Sequence, residues 1–553
     1  LYAMWAMRDE ITRIARPEIL PDEQNLRLRF EDMLGFRRNV TQPTPLFRKF
    51  GSKALDGHPT PATPFVKLSP GASGIGVGSS LGLAVAAADA YGDDAPFVHL
   101  IEGEGGLTPG RAAEAAAFAG TAGLSNAVMH LDWNQAAIDS DAVTREGDHP
   151  GEYVQWDPCE FFYLHVWTVI HERDGCAFGL VLTAQRMATD MDNGQPTAIV
   201  YRTTKGWQYG IEGKKSHGGG HKMCSDEYYA TQRSLFGEET DSLPRADGSD
   251  PVAVEAAEWA TLERYRALLE ADAMPAVLAG RLNAAKDRLN ARGRVQRDGA
   301  PNVESIFSAA DPSAVPEELA LEPGDTLALR QALGRSLGYL NRQSGGAILI
   351  GAADLLGSTA ISDVAAGFPD GYYQRTSNPD ARSLSVGGIC EDGLSCVLSG
   401  VSAFGDHVGA VASYGAFIAP LGHIASRLHA IGNQMRQETE PGPYRPFVLV
   451  CAHAGMKTGE DGPTHADPQA VQLLQENFVP GTAITLTPWE PAEVWPMLAA
   501  AFQARPAIIA PFVTRPGETV PDREALGLAP VAMAANGFYK LRGASGAPDG
   551  AVV

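Results

Sequence analysis

Gly103-Glu104-Gly105-Gly106-Leu107 and, further on, Asn126-Ala127-Val128-Met129-His130-Leu131-Asp132-Trp133-Asn134-Gln135 frame the stretch that decides the fold. The apolar run at residues 96–101 reads as a buried strand, the small-residue run 110–122 as a helix and 126–131 as a second buried strand, together a βαβ unit. In an open parallel sheet the loops after successive strands leave on one edge, so Glu104 and Asn134 are brought together although far apart in sequence. A carboxylate oxygen and an amide oxygen facing a shared point suit a hard cation. Mg²⁺ takes oxygen donors octahedrally and is usually held by one or two carboxylates plus phosphate oxygens. Taken alone, a Gly-x-Gly is more simply an ordinary strand-to-helix turn, with Asn134 a polar loop residue.

At 553 residues the chain is too long for one core, which implies two or three domains. Its abundant Gly and Ala fit closely packed α/β elements. The formal charge of -22 argues against nucleic acid or an anionic membrane as a main partner, so an anionic substrate needs a local cluster of Arg, Lys or His. The 6 cysteines are scattered without a Cys-x-x-Cys, the usage expected of a reduced, cytoplasmic compartment. Neither a membrane-length apolar run nor a basic-then-apolar leader is visible; the first residue is Leu1 rather than Met.

Helices are expected at residues 5–15 and 23–30, without chemistry. Gly57-His58-Pro59 follows, then the turn Gly71-Ala72-Ser73-Gly74-Ile75-Gly76 leading into an apolar helix over 79–91. Such a turn exposes backbone N–H groups to an anion, although most are structural. Residues 139–167 read as loop, 175–190 as a helix and 196–201 as a strand, followed by Arg202-Thr203-Thr204-Lys205-Gly206-Trp207 and a histidine-glycine segment, 217–222. Residues 236–325 read as a connecting region with one or two charged helices broken at Pro275, a solvated face. Alternating helix and strand patterns return near Leu327, with strands expected at 347–351, 447–452 and 507–512 and a short strand at 531–535.

These motifs, in this order, resemble the transketolase family. Residues 103–134 match its thiamine diphosphate motif, Gly-Asp-Gly followed by an Asn, with Glu104 in place of the metal-binding Asp. Gly-His-Pro at 57–59 and the turn at 71–76 match its loop against the diphosphate, and Thr203-Thr204 with His217 match a strand end and a histidine near it. Ala353-Asp354-Leu355-Leu356-Gly357-Ser358 matches the opening of its second domain, and Gly387-Gly388-Ile389-Cys390-Glu391-Asp392 its Gly-Ile-Arg-Glu-His. Gly459-Glu460-Asp461-Gly462-Pro463-Thr464-His465 is its most specific match. The resemblance implies the thiamine diphosphate-binding fold, two doubly wound parallel-sheet α/β domains. The diphosphate-binding domain would span 1–235, a helical connection 236–325, the pyrimidine-binding domain 326–520 and the start of a linker to an absent third domain 521–553.

The resemblance also implies roles. Glu104, Asn134 and the Ala136 carbonyl would hold Mg²⁺, with Ca²⁺ a substitute; Gly71, Gly74, Gly103, Gly105 and Asp354 would line the cofactor. Glu391 would activate it, because a carboxyl group hydrogen-bonded to the aminopyrimidine favours the tautomer that accepts a proton. His58, His217 and His465 would take catalytic parts, the last around a dihydroxyethyl intermediate. Asp461 and His453 would bind donor hydroxyls, and Arg330, Ser358 and Arg515 a sugar phosphate. The family's pyrimidine-pocket aromatics fall on Gly415, Ile418 and Leu421, with Tyr414 and Phe417 one position away as substitutes. Other departures are Pro109, where the family has a Glu, and Cys390 and Asp392 around Glu391. The family's N-terminal substrate histidines have no counterpart here. The expected assembly is a homodimer with its sites between subunits, and a separate chain supplying a third domain is a further option. Transfer of a two-carbon ketol unit from a ketose phosphate to an aldehyde is the first functional expectation. A 2-oxo acid decarboxylase of the pyruvate type and a non-catalytic binding or regulatory protein are the alternatives.

Overall fold

Residues 1–37, 41, 43–217, 221–419, 423–455, 462, 464–465, 470–475, 478–543 and 546 are described in the computed structural model. The opening βαβ unit is present as β1 (Val98–Gly103), the helix Gly110–Ala122 and β2 (Ala127–Trp133). With β3 (Thr168–Glu172) and β4 (Thr197–Arg202) it makes a parallel sheet in the order β1-β2-β4-β3. One face, carrying Leu100, Met129, Leu131, Ala198 and Val200, enters the main core. On the other face, Val128, Ile199 and Tyr201 pack on the helix Phe178–Asp190.

The second domain contains β5 (Thr326–Ala328), β6 (Ile348–Ala352), β7 (Val408–Ser413), β8 (Phe447–Cys451), β9 (Ala483–Leu486) and β10 (Ile508–Pro511). Five of these form a parallel sheet ordered β6-β7-β8-β10-β9. Strands β6, β7 and β8 are fully buried along their length, as in sheets covered on both faces. β5 pairs antiparallel with β11 (Gly517–Thr519), which ties the chain after β10 to the start of the helix Leu329–Gln343.

The domains meet along the helices Ile75–Tyr91 and Glu391–Phe404. A methyl group at Gly82 would overlap the Val397 carbonyl oxygen, and one at Gly400 the Ser79 carbonyl oxygen, so these two glycines permit the close approach. Beside this contact the buried Asp89 carboxylate accepts from Arg382 Nη1 at 2.7 Å and lies 2.8 Å from His407 Nε2.

Several local expectations are corrected. Residues 23–30 form only a 3₁₀ turn, Gln24–Leu26, before a single helical turn, Phe30–Met33, because Arg27–Arg29 run extended and deliver Leu28 to the Asp9 carboxylate. Residues 531–535 form a 3₁₀ helix, Val531–Asn536, instead of a strand; Pro530 leads into it, and Ala534 is buried. The connecting helices Pro251–Ala271 and Met274–Arg292 break before Pro275, which sits in the first turn of the second. Their expected solvated face is also partly occupied. Glu255 is fully buried and accepts the Leu46 and Phe47 N–H groups, capping the helix Pro45–Phe50.

Candidate active site

The first cluster lies at the C-terminal edge of the first sheet. Gly103 is paired with Asp132, so the residues after β1 and β2 leave side by side. Glu104 is buried, and its Oε2 accepts the Asn134 N–H at 3.1 Å. Burial raises this carboxyl group to about 7, against the pull of the backbone N–H groups around it. Asn134 Oδ1 accepts the Ala136 N–H at 2.9 Å through Gln135, a non-glycine residue at φ 63. Holding Gln135 in the left-handed region costs about 1 kcal/mol, and it bends the loop so that the Ala136 N–H turns back to Asn134 Oδ1.

In the sequence, Lys205 stands out only as part of the run Arg202-Thr203-Thr204-Lys205-Gly206-Trp207. It completes this cluster: its Nζ lies 3.4 Å from the Ala136 carbonyl oxygen and 2.7 Å from His217 Nδ1. Partial burial and the Lys205 charge both lower the His217 pKa. Lys205 follows β4 and His217 follows a loop, so no periodicity joins them.

The donor set fits a hard cation under a diphosphate. A buried carboxylate, an amide oxygen and a backbone carbonyl are oxygen donors of the kind such a cation takes, and Lys205 and His217 lie beside them. A Cβ at Gly105 would meet nothing within 4 Å, which leaves room above this edge. Among the described residues no cage of three or more His, Cys, Asp or Glu side chains forms, so the fit rests on these mixed oxygen donors.

The second cluster lies at the C-terminal edge of the second sheet. Tyr414 follows β7 and His453 follows β8, and their rings stack with centroids 3.7 Å apart and planes 7° from parallel. The Tyr414 ring lies 6.1 Å from that of Phe417, and His465 is 5.6 Å from each. Arg330, at the start of the helix Leu329–Gln343, reaches His453 Nε2 at 2.6 Å and also donates to the Ser358 carbonyl oxygen. Its backbone N–H lies 3.4 Å from the Thr514 carbonyl oxygen, which puts the half-buried Arg515 next along the chain. Asp354 is exposed after β6 at φ 58. Asp461 lies outside the described residues.

Glu391 opens the helix Glu391–Phe404. Around it, Glu114 accepts the Gly393 N–H at 2.7 Å and Arg111 Nε pairs with Asp392 at 2.9 Å. Burial and the nearby Glu114 and Glu391 carboxylates push the Cys390 thiol up to about 11, so it is held as the neutral thiol. The glycine-rich turn has packing duties: a Cβ at Gly71 would press on the Leu428 side chain, and Gly74, at φ 82, faces Arg111 and Pro109. His58 is exposed on its loop.

Comparison with known proteins agrees with this layout. The transketolase thiamine diphosphate binding domain matches residues 26–243, and the transketolase pyrimidine binding domain matches 325–512. Transketolase 2 of Xanthobacter flavus is 26% identical over 477 residues, covering 82% of this chain and 60% of that protein. Human transketolase is 35% identical over 170 residues, 30% of this chain and 25% of that protein. Among solved structures, transketolase from Leishmania mexicana superposes with a TM-score of 0.60 at 21% identity, covering 85% of this chain and 65% of that one. A Pichia stipitis transketolase complexed with sedoheptulose 7-phosphate gives 0.62 at 20% identity, with 88% and 66% covered. These structural likenesses show a shared fold, and the chain spans about 60% of the length of the first curated relative. Two domain matches in chain order, each falling on one of the two parallel sheets described above, place this chain in the transketolase family.

Proposed function

We propose that the chain carries out transketolase-type transfer of a two-carbon ketol unit from a ketose phosphate to an aldehyde, as a homodimer using thiamine diphosphate and Mg²⁺. The observation that carries this reading is the second cluster, where Arg330 and Ser358 adjoin the Tyr414, Phe417, His453 and His465 rings. A guanidinium suits a phosphate, and imidazoles that donate and accept suit a hydroxylated carbon chain.

When bound, thiamine diphosphate supplies the nucleophilic carbon and the electron sink. Glu104, Asn134 and the Ala136 carbonyl would hold the metal, and Lys205 and His217 the diphosphate. Glu391 would hydrogen-bond the pyrimidine and hold a proton there. Tyr414 and Phe417 would flank that ring, keeping water from the reacting side. His465 would pass a proton to or from the substrate oxygen, and His453 would orient a donor hydroxyl. Arg330, Ser358 and Arg515 would bind the terminal phosphate.

Support for the dimer is the match of both domains to the transketolase family, whose resemblance implies sites between subunits. The test supplies thiamine diphosphate and Mg²⁺ and compares turnover of a ketose phosphate plus aldehyde with turnover of pyruvate plus an artificial electron acceptor. Turnover of the sugar pair by a species of twice the chain mass in light scattering is expected. Activity with pyruvate alone, or a single-chain mass under native conditions, would overturn the reading.

A further inference from the structure

Among the described residues, the outer face of the first sheet is only partly covered. The helix Phe178–Asp190 lies over β3 and β4 and reaches Val128 of β2, while Ile101 on β1 is 78% exposed. Between the helix and this bare part runs a groove of about 740 Å³, within the usual range for small-molecule sites.

Three rings on neighbouring strands form its floor. His99 Nδ1 lies 2.9 Å from His130 Nε2, and His130 Nδ1 lies 3.0 Å from the Tyr201 hydroxyl. The rings stack, at 5.2 Å for the histidine pair and 6.1 Å for His130 with Tyr201. Both His130 nitrogens are engaged, and burial lowers its pKa to about 4, so the ring stays neutral. A neutral His130 has one N–H, so the ladder points one way or the other as a unit. If Tyr201 donates to His130, then His130 donates to His99, and His99 Nε2 becomes a donor. In the reverse order His99 Nε2 is an acceptor.

Ile101 and Val181 add apolar surface, and Trp207, in edge contact with Phe178 at 6.3 Å, adds an aromatic wall. The positive charge of the lining is Lys205. Its carboxylate, Asp132, already accepts from Asn134 Nδ2 at 3.0 Å and from the Thr203 hydroxyl. The floor from β4 to β1 spans two strand spacings, roughly 10 Å, the length of one substituted aromatic ring.

We propose that this groove is a second binding site, for a small aromatic acid whose anionic end meets Lys205, whose ring lies over Ile101 and the His99–His130–Tyr201 ladder, and whose far end bonds His99. The site is separate from the aromatic cluster of the second domain; it shares Lys205 with the cation edge, where Nζ lies 2.7 Å from His217 Nδ1, so its ligand and a diphosphate compete for that charge.

4-Hydroxyphenyl phosphate is a suitable probe, titrated into the full chain without thiamine diphosphate or Mg²⁺, so that the outcome does not depend on ketol transfer. The histidine ring-proton resonances assigned to His99 and His130 should shift together, and inorganic phosphate or phenol should bind at least tenfold more weakly. Ile101→Glu, at a surface position where folding is tolerant, should weaken the probe at least tenfold, and Lys205→Met should do the same. Thiamine diphosphate affinity should fall with Lys205→Met and stay within about twofold with Ile101→Glu. Unmoved His99 and His130 resonances, unchanged binding to Ile101→Glu, or a loss of oligomer mass in Ile101→Glu without probe binding to the parent would overturn the proposal.

Discussion

Arg330 Nη1 donates to His453 Nε2 across 2.6 Å, while the other face of the imidazole environment is the Tyr414 ring at 3.7 Å. Because a guanidinium can only donate, Nε2 is the accepting nitrogen, and a neutral His453 carries its proton on Nδ1. The contact gives Arg330 the task of fixing that tautomer; binding a phosphate is its proposed second task. Arg330→Met should raise KM for a ketose phosphate about 10- to 100-fold, the worth of a charge-assisted hydrogen bond. Steady-state kinetics with a phosphorylated and an unphosphorylated ketose would separate the tasks. The expected result is a loss confined mostly to the phosphorylated donor; an equal loss for both would leave Arg330 only the tautomer role.

Glu391 starts its helix beside Glu114, whose half-buried carboxyl has a raised pKa and accepts the Gly393 N–H. Glu391→Gln keeps the size of the side chain and removes the carboxyl. Thiamine diphosphate affinity should stay within a few-fold while turnover falls by about 10²- to 10⁴-fold, the usual contribution of a placed acid or base. Cofactor titration by fluorescence alongside turnover checks this, and an unchanged rate would mean that the activating carboxyl is elsewhere.

Asp89 joins the domains through Arg382 and His407, all of them buried. Burial opposes its ionisation, yet His407 and Arg382 hold it well below the usual carboxylate range. Asp89→Asn leaves Arg382 facing a neutral group and should cost about 3–5 kcal/mol of stability. Urea unfolding at pH 7 measures the loss.

His429 donates to the Arg445 carbonyl at 2.7 Å, and burial lowers its pKa to about 4. Its folded pKa lies below the unfolded value near 6.5, so between those values the unfolded chain takes up a proton that the folded chain refuses. Stability is therefore full above about pH 6.5 and falls as pH drops toward 4, by roughly 3 kcal/mol in all from this residue. Urea midpoints at several pH values should show the decline, and His429→Gln should flatten it.

Short-range pattern made the two parallel sheets legible. Small residues over 110–122 and apolar runs on either side leave little choice but a βαβ unit. It failed where local propensity yields to packing. Arg27–Arg29 stay extended because Leu28 is wanted at the Asp9 carboxylate, and Glu255 looks like a surface charge until the helix Pro45–Phe50 presents its N–H groups to it. Gly71 reads as an anion loop, but its neighbour is Leu428, a residue of the other domain.

The sequence by itself determined the βαβ unit, the order of the motifs, and the meeting of Glu104 and Asn134 at one sheet edge. These follow from residue spacing and from the rule that parallel strands release their loops on one side. Only the tertiary structure decided that Lys205 reaches both Ala136 and His217, that Arg330 pairs with His453, and that a histidine ladder lines an open groove. Each such contact depends on loop dihedrals and on the register of strands that are not neighbours in sequence, and no local periodicity encodes either.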